Sequence, residues 1–333
     1  MNKWWQSIIR ITGFLLGIAA FVLAVYSIPL KEICSVVQAG FNRYLIFCVF
    51  LWMLSIVFQA WRWHVMLRWK KPVPFHDALK LFVLHRLANL LLPLRAGEGM
   101  RIFAARQQFN MNIPYLMATS INERILNLAF LVPLAFGLTF VIPDLEKYQV
   151  FLLICVFVFL TVITGIIWRH RSELSAPAVF ESDRTADENR FVRFWRKFSQ
   201  GLAILKSTPI LLGVLLTSLG SWLVLWLGIS ALLQSLHTTS PSLGAWAVLL
   251  FTNIASLLPL TPSNIGPFQW GCILALSYFG VPQAEAVGFS LVLQAVRIVA
   301  AVLLGIYSYG LHFLFTKAHM ARNQVAENSR KSP

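Results

Sequence analysis

The sequence predicts an all-α integral membrane protein with about six full spans and two re-entrant pairs of half-helices. Its 333 residues are 58% hydrophobic and only 12% charged, whereas soluble domains are about 25% charged. Several uncharged runs have the length that a membrane-spanning helix needs, about 20 residues. The net charge of +15 comes from basic residues between these runs. Such residues are typical of topogenic loops and of contact with an anionic lipid surface, so we expect no nucleic-acid partner.

The chain begins with two predicted spans. The run Ile11–Leu30 is uncharged and lacks the small-residue cleavage pattern of a signal peptide, so we expect it to remain as the first span. The second predicted span is Tyr44–Trp61. The loop expected after it is strongly basic, with Arg62, Arg68, Lys70, Lys71 and Lys80. The positive-inside rule places this loop and the N-terminus in the cytoplasm.

The next stretch, His85–Arg101, is too charged to be an ordinary span. Arg86 and Arg95 leave only Leu87–Leu94 uncharged between them, far short of the about 20 residues required. We predict a re-entrant pair instead, in which two half-helices enter from the cytoplasm and return. The expected bounds are Ala78–Leu92 for the first half-helix, Pro93–Gly99 for the break and Met100–Phe109 for the second half-helix.

Three further spans are predicted in the middle of the chain, at Tyr115–Ile142, Tyr148–Trp168 and Pro209–Leu233. A charged loop, residues 169–206, lies between the last two and is expected in the cytoplasm. Within it, Arg190–Phe198 alternates aromatic and cationic residues. This pattern favours a short helix on an anionic leaflet, with a solvated linker as the alternative.

A second short pair follows within Ser207–Ala284, a region without Asp, Glu, Lys or Arg. We predict half-helices at Gly244–Leu260 and Pro267–Gly280, separated by a break at Pro259–Gly266. A last span, Gln283–Phe315, contains Arg297 and precedes a basic C-terminus that is expected in the cytoplasm. The whole chain, 1–333, is read as one polytopic membrane domain.

The two breaks belong to an apparent internal repeat, about 44–142 and about 209–316. Leu-Leu-Pro-Leu at Leu91–Leu94 recurs at Leu257–Leu260, and three later matches keep the same order: Gly97 with Gly266, Pro114 with Pro282, and Ala118 with Ala286. Three predicted spans separate the breaks, so the second pair should enter from the outside. Transporters commonly have such inverted-topology repeats, with their sites between discontinuous helices. Two short full spans would fit the second pair equally well by parity.

The residues that form the first break resemble a known family. The string Asn-x3-Pro-x-Arg-x-Gly-Glu-x2-Arg from Asn89 to Arg101, the pair Glu123-Arg124 and the break Pro259–Gly266 are similar to the membrane region of lysylphosphatidylglycerol synthases, which is called flippase-like. The resemblance covers most of the chain, roughly Ile11–Phe315. It departs at Pro267-Phe268-Gln269, where family members often have an acidic residue.

The resemblance implies that this region moves a phospholipid between the leaflets of the bacterial inner membrane. In fused members a separate soluble domain makes an aminoacylated lipid, and we expect no such domain here because the longest hydrophilic segment is the loop 169–206. The predicted function is therefore a flippase for a phospholipid or a polyprenyl-phosphate-type lipid.

The candidate site residues follow from the chemistry of an anionic headgroup. Arginine gives bidentate donors that remain charged at any relevant pH, and helix N-termini at Gly97 and Gly266 would add backbone N–H groups. Carboxylates could neutralise the arginines or contact an amine. The candidates are Arg95, Glu98, Arg101, Glu123, Arg124, Asn89 and Arg297, with the breaks at Pro93, Gly97, Pro259 and Gly266. For Glu123-Arg124 the alternative is a structural pair, for Arg95 and Glu98 a turn-stabilising role, and for Asn89 satisfaction of backbone groups.

Two other functions are open at this stage. One is an intramembrane transferase that acts on a lipid-linked substrate, and the other is a non-transporting partner of an envelope biosynthesis complex. The sequence has no Asp-x-Asp pair, no glycine-rich phosphate loop and no histidine spacing for a metal. We therefore expect no enzyme activity, no metal and no cofactor, and no pattern indicates an oligomeric state.

Overall fold

The structure is a computed structural model, and within the part of the chain that it describes all regular structure is helical, with no strand. Of residues 309–331 it describes the backbone alone. The predicted first span, Ile11–Leu30, and most of the predicted span Tyr148–Trp168 lie outside the described residues. The described residues are 43–92, 96–150, 152–154, 157, 161, 190–202, 204, 207–234, 241–256 and 261–331.

Nine helices follow one another in the described ranges. Four helices, α1, α4, α6 and the part of α9 up to Ser308, are long and apolar enough to cross a membrane. The chain is therefore a multi-pass membrane protein. Short 3₁₀ turns lie at Pro143–Tyr148 and Pro262–Asn264. The helices are α1 Arg43–Arg68, α2 Phe75–Leu91, α3 Ala96–Phe109, α4 Ile113–Leu138, α5 Arg190–Leu202, α6 Thr208–Leu233, α7 Pro241–Ala255, α8 Pro267–Ser277 and α9 Gln283–Lys331.

Two bounds near the first break differ from the prediction. Helix α1 continues past Trp61 to Arg68, so Arg62 lies inside a helix rather than in a loop. Its side chain is only 4% exposed, because polar groups on neighbouring helices accept its hydrogen bonds. Helix α3 begins at Ala96, so the break is shorter than the predicted Pro93–Gly99.

Two short helix pairs pack within the bundle. Helix α2 contacts α3, and α7 contacts α8. All four helices are shorter than a span: α2 has 17 residues and α3 has 14, while α7 has 15 and α8 has 11. Each pair therefore lacks the about 20 residues per helix that a crossing requires.

Two hydrophobic cores form, one around each short pair. The first-break core contains buried residues of α2 and α3, among them Phe82 and Ala105. The second-break core contains buried residues of α7 and α8, among them Leu249 and Leu276. The described residues of α2 and α3 contribute nothing to the second core, and those of α7 and α8 contribute nothing to the first.

The four spanning helices, in contrast, contribute to both cores. Helix α4 enters the first-break core with Tyr115 and the second-break core with Leu138, and α6 runs the same way. Helices α1 and α9 pass through the cores in the opposite order. Helix α9, for example, has Phe289 in the second-break core and Leu304 in the first-break core. The two short pairs therefore lie at opposite ends of the spanning helices.

The short helix α5 extends from Arg190 to Leu202, as the aromatic and cationic pattern predicted. It packs on α4, where the Asn122 Nδ2 donates to the Gly201 carbonyl at 2.9 Å. A Cβ at Gly201 would lie 2.5 Å from the Cβ of Ala118, so only glycine allows this approach. Burial, and then the charge of Lys197, lower the pKa of Lys70 in the loop after α1. Helix α5 thus brings positive charge to that loop.

Candidate functional site

A cavity of about 270 Å³ lies between the two cores. Its wall takes Phe82 and Ala301 from the first-break core and Trp222, Leu249 and Phe268 from the second-break core. The charged residues on the wall are mostly arginines. Among the residues that the structure describes, they are Arg62, Arg86, Arg101, Arg124 and Arg297, with only Glu98 and Glu123 as carboxylates.

Arg101 is held by a buried ion pair. Its Nη2 lies 2.7 Å from Glu123 Oε2 and its Nη1 lies 3.3 Å from Oε1. The guanidinium is 4.6 Å from the ring centre of Trp63 and 5.2 Å from that of Phe82, and Arg101 is 1% exposed. A desolvated pair of this kind is costly to break. Arg101 is therefore committed to Glu123, which favours a structural role for both.

The second ion pair joins Arg124 on α4 to Glu98 on α3. Its side chains are 40% and 26% exposed, so a ligand in the cavity can reach them. Glu123 and Arg124 thus take different partners on α3, although they are sequence neighbours. Adjacent residues of an α-helix do not face each other, which explains why they do not pair.

Arg297, a predicted site residue, lies on the cavity wall beside the second break. Its guanidinium is 4.3 Å from the ring centre of Phe268, and its Nη1 donates to Gln294 Oε1 at 3.3 Å. Gln294 in turn donates to the carbonyl and hydroxyl oxygens of Ser263, at 3.0 and 2.8 Å. Phe268, within the tripeptide Pro267-Phe268-Gln269 at which the sequence departs from the resemblance, thus contacts an arginine through its aromatic face.

Arg62 is a cavity residue that the sequence analysis assigned to a loop. Its Nη1 donates to Asn127 Oδ1 at 3.1 Å and to Ser218 Oγ at 3.2 Å. A signal existed in the spacing, because Ser55, Gln59 and Arg62 recur at intervals of four and three residues and so share a face of α1. A span that ends at Trp61 does not reveal this polar stripe, because Arg62 then falls outside the helix.

Arg86, on α2, is the second cavity arginine that the candidate set lacked. It donates to Gln59 Oε1 and lies 5.5 Å from the ring centre of Phe82. Gln59 is fixed by its own donor group, which reaches Ser55 Oγ at 2.9 Å and Ser221 Oγ at 3.1 Å. In the sequence, the charge of Arg86 is a reason against a full span. In the fold, the same side chain lies on the cavity wall.

The first break is closed by Asn89, whose Oδ1 accepts the Gly97 N–H at 2.9 Å. Asn89 also lies on the cavity wall, but this bond supports the structural alternative for it. A Cβ at Gly97 would lie 2.4 Å from the His85 carbonyl oxygen, so α2 and α3 approach as closely as glycine permits. Pro93 and Arg95 lie outside the described residues.

The second break is closed in a similar way, by an amide across eight residues. Asn264 Nδ2 donates to Ser256 Oγ at 2.8 Å. The turn then reaches Gly266, whose φ of 92° is a conformation that glycine adopts readily. The Gly266 N–H donates to Gln269 Oε1 at 2.7 Å, which satisfies a backbone donor at the start of α8. Pro259 lies outside the described residues.

Residues 10–305 match the family model described as Lysylphosphatidylglycerol synthase TM region. The chain belongs to this family. The match includes both short helix pairs and every arginine of the cavity wall. It confirms the resemblance noted from the sequence and indicates a membrane function that concerns lipids. No curated protein and no solved structure matches the chain.

Proposed function

We propose that the protein moves a lipid with a phosphate-bearing headgroup, a phospholipid or a polyprenyl-phosphate-type lipid, across the bacterial inner membrane. The observation that carries the proposal is the cavity between the two cores, whose wall has five arginines and two glutamates. Charged side chains within a membrane are rare and mostly face a water-filled cavity or a substrate path. Arginine binds phosphate with two parallel hydrogen bonds.

The position of the cavity supports transport. It lies between the two cores and touches both breaks, through Asn89 and Glu98 at the first and Ser263 and Asn264 at the second. Substrate sites of many transporters lie near the bilayer midplane, where broken helices meet. A headgroup held in this cavity would be about halfway between the two leaflets, while its acyl or prenyl chains remain in the lipid.

We propose further that the two short pairs are re-entrant and form an inverted-topology repeat. Their helices are too short to cross, and they belong to different cores at opposite ends of the spanning helices. With the undescribed runs Ile11–Leu30 and Tyr148–Trp168 as additional spans, the protein has six spans. The basic loop after α1 and the basic helix α5 then lie at the cytoplasmic surface against anionic lipid, with both termini on that side.

The exposed pair Glu98–Arg124 has a role in this cycle. In the empty cavity Glu98 neutralises Arg124, and an arriving phosphate replaces the carboxylate as its partner. The buried pair Arg101–Glu123 holds α3 against α4 throughout. A cycle of this kind makes and breaks no covalent bond, so we propose a transporter and not an enzyme.

Transport of a fluorescent phospholipid in proteoliposomes tests the proposal. A membrane-impermeant quencher distinguishes the inner from the outer leaflet, and the protein should speed the exchange between them. We expect Glu98→Gln, Arg95→Ala and Arg86→Gln to abolish movement while the protein still inserts and elutes as a folded species. Arg106→Gln is the matched control, because Arg106 is exposed at the end of α3 and outside the cavity. Wild-type rates in the cavity variants, or equal loss in the control, would contradict the proposal.

A further inference from the structure

The distribution of ion pairs on the cavity wall identifies the charge of the ligand. Among the described residues, both carboxylates of the wall are in ion pairs, Glu123 with Arg101 and Glu98 with Arg124. The other three arginines of the wall are Arg62, Arg86 and Arg297. None of these three has a carboxylate oxygen within 4.0 Å among the described residues. The wall therefore has three arginine charges that its own acids do not neutralise.

Neutral groups only partly satisfy these three guanidinium groups. Arg62 reaches an amide and a hydroxyl oxygen, and Arg86 and Arg297 each reach one glutamine oxygen. A guanidinium has five N–H donors in a fixed fork. Among the described residues, the Nε donors of Arg62 and Arg86 are buried without an acceptor, and so is that of the paired Arg101. These donors leave hydrogen bonds that an acceptor on a ligand can complete.

Two of the three arginines line the same cavity as like charges, Arg86 on α2 and Arg297 on α9. Arg86 also experiences the charges of Arg297 and of Glu123. The guanidinium of each arginine lies over an aromatic ring, that of Arg86 over Phe82 and that of Arg297 over Phe268. Like charges held together in a medium of low dielectric constant are stabilised most by an anion between them.

We propose that the ligand of this cavity has a terminal phosphate or diphosphate with at least two negative charges, and that Arg86 and Arg297 bind it from opposite sides. This inference rests on the proposed function and narrows its substrate class. A phosphodiester headgroup, with one negative charge, leaves most of the excess arginine charge uncompensated. An aminoacylated headgroup with a net positive charge adds to it. The cavity therefore discriminates by headgroup charge.

Binding of four probe lipids to the full-length chain in one detergent, at fixed ionic strength, tests the inference. The probes are farnesyl diphosphate, short-chain phosphatidic acid, phosphatidylglycerol and lysylphosphatidylglycerol, titrated by native mass spectrometry. We expect the two terminal phosphates to bind at least about tenfold more tightly than phosphatidylglycerol, and lysylphosphatidylglycerol to bind most weakly. Farnesyl diphosphate and phosphatidic acid distinguish a diphosphate from a monophosphate ligand. Tighter binding of farnesyl diphosphate supports a diphosphate, and equal affinity supports any terminal phosphate.

Variants then assign the preference to residues. Arg86→Gln and Arg297→Gln should each weaken binding of the terminal phosphates severalfold more than binding of phosphatidylglycerol, so that the preference between the two classes of lipid falls. Arg297→Lys should recover part of it, because the charge remains while the fork geometry is lost. Arg106→Gln should have no effect. Thermal unfolding of each variant verifies that it is folded.

The outcomes separate the inference from the proposed function. Equal affinity for phosphatidylglycerol and the terminal phosphates, or tighter binding of lysylphosphatidylglycerol, overturns the inference while a phospholipid site remains. Absence of selective binding by any probe overturns both. A preference that persists in Arg86→Gln and Arg297→Gln overturns the assignment to these two arginines.

Discussion

The two breaks meet at one cavity but are built from different chemistry. The helices on either side of the first break contribute Arg86, Glu98 and Arg101 to the wall, whereas the second break and its helices contribute only neutral groups, among them Ser263 and Asn264. Both are closed by an asparagine amide that spans eight residues. The span of this hydrogen bond is thus shared, and the charge is not.

This difference separates the tasks of the two short helix pairs. The first break supplies charge to the site, and its packing depends on a buried ion pair with α4. The second break supplies shape and support, since Phe268 and Gln294 position Arg297 of the spanning helix α9. An acidic residue is therefore not required at the second break for its turn to form. Four predictions test this division, in order of decreasing effect on stability.

The largest effect should come from Glu123→Gln. This change leaves the buried charge of Arg101 without its partner and should reduce the free energy of unfolding by about 3–5 kcal/mol. Unfolding of the detergent-solubilised protein measures it. The matched change at the second break, Gln269→Leu, removes one neutral acceptor and should cost about 1 kcal/mol. Equal losses of stability in the two variants would contradict the prediction that the ion pair at the first break contributes more than the neutral hydrogen bond at the second.

A double variant controls for the loss of the carboxylate itself. Arg101→Met combined with Glu123→Leu removes both charges from the buried site, and it should recover most of the stability that Glu123→Gln loses. Failure of the double variant to recover would mean that the hydrogen bond from Arg101 to Ser120, and not the ion pair, stabilises this contact.

The next effect should come from Gly97→Ala. The new methyl group would lie 2.4 Å from the His85 carbonyl oxygen and 2.6 Å from Asn89 Oδ1, so α2 and α3 must separate, at about 1–3 kcal/mol. Gly99→Ala is the control two residues away, where nothing lies within 4 Å of the new atom. Melting temperatures of the two variants measure the difference. A melting temperature for Gly97→Ala that equals the control's would contradict the close approach at this break.

Smaller and equal effects should follow from Asn89→Ala and Asn264→Ala. Each variant removes one hydrogen bond that closes a break, which is worth about 0.5–1.5 kcal/mol. Thermal unfolding of both variants under the same conditions compares them directly. Clearly unequal losses would indicate that the two turns are not equivalent in spite of their similar closure.

The smallest effect on stability should come from Glu98→Gln. Its pair with Arg124 is half-exposed, and pairs of this kind contribute about 0.2–1 kcal/mol. If the proposed function holds, the same variant should abolish lipid movement in proteoliposomes, because Arg124 then lacks the carboxylate that a phosphate is proposed to replace. A large loss of stability with normal transport would assign Glu98 to structure instead.

Much of the fold could be predicted from the sequence because apolar length and charge determine which segments cross a membrane. Span Pro209–Leu233 was predicted one residue from its observed start, and the first break was found from its charges. The bounds of α1 could not be predicted in this way. Arg62 continues the helix because Asn127 and Ser218 accept its hydrogen bonds, and those partners are distant in sequence.

The site was only partly predictable for a related reason. The sequence identifies which residues are charged, but partner choice depends on how helices face one another. Arg101, a predicted site residue, lies on the cavity wall and is paired with Glu123. Arg86, which the prediction omitted, lies on the same wall and has a buried Nε without an acceptor. A direct ion pair between Glu123 and Arg124 could be excluded from the sequence, because neighbouring residues of an α-helix do not face each other.

The four spanning helices pass through both cores, and this has a mechanical consequence. Close-packed protein interiors are nearly incompressible, so each of these helices acts as a stiff lever whose fulcrum lies at the level of the cavity. A tilt that loosens the packing around α2 and α3 must tighten the packing around α7 and α8. If the protein moves a lipid as proposed, we expect that its two ends do not open together and that a headgroup in transit faces one leaflet at a time.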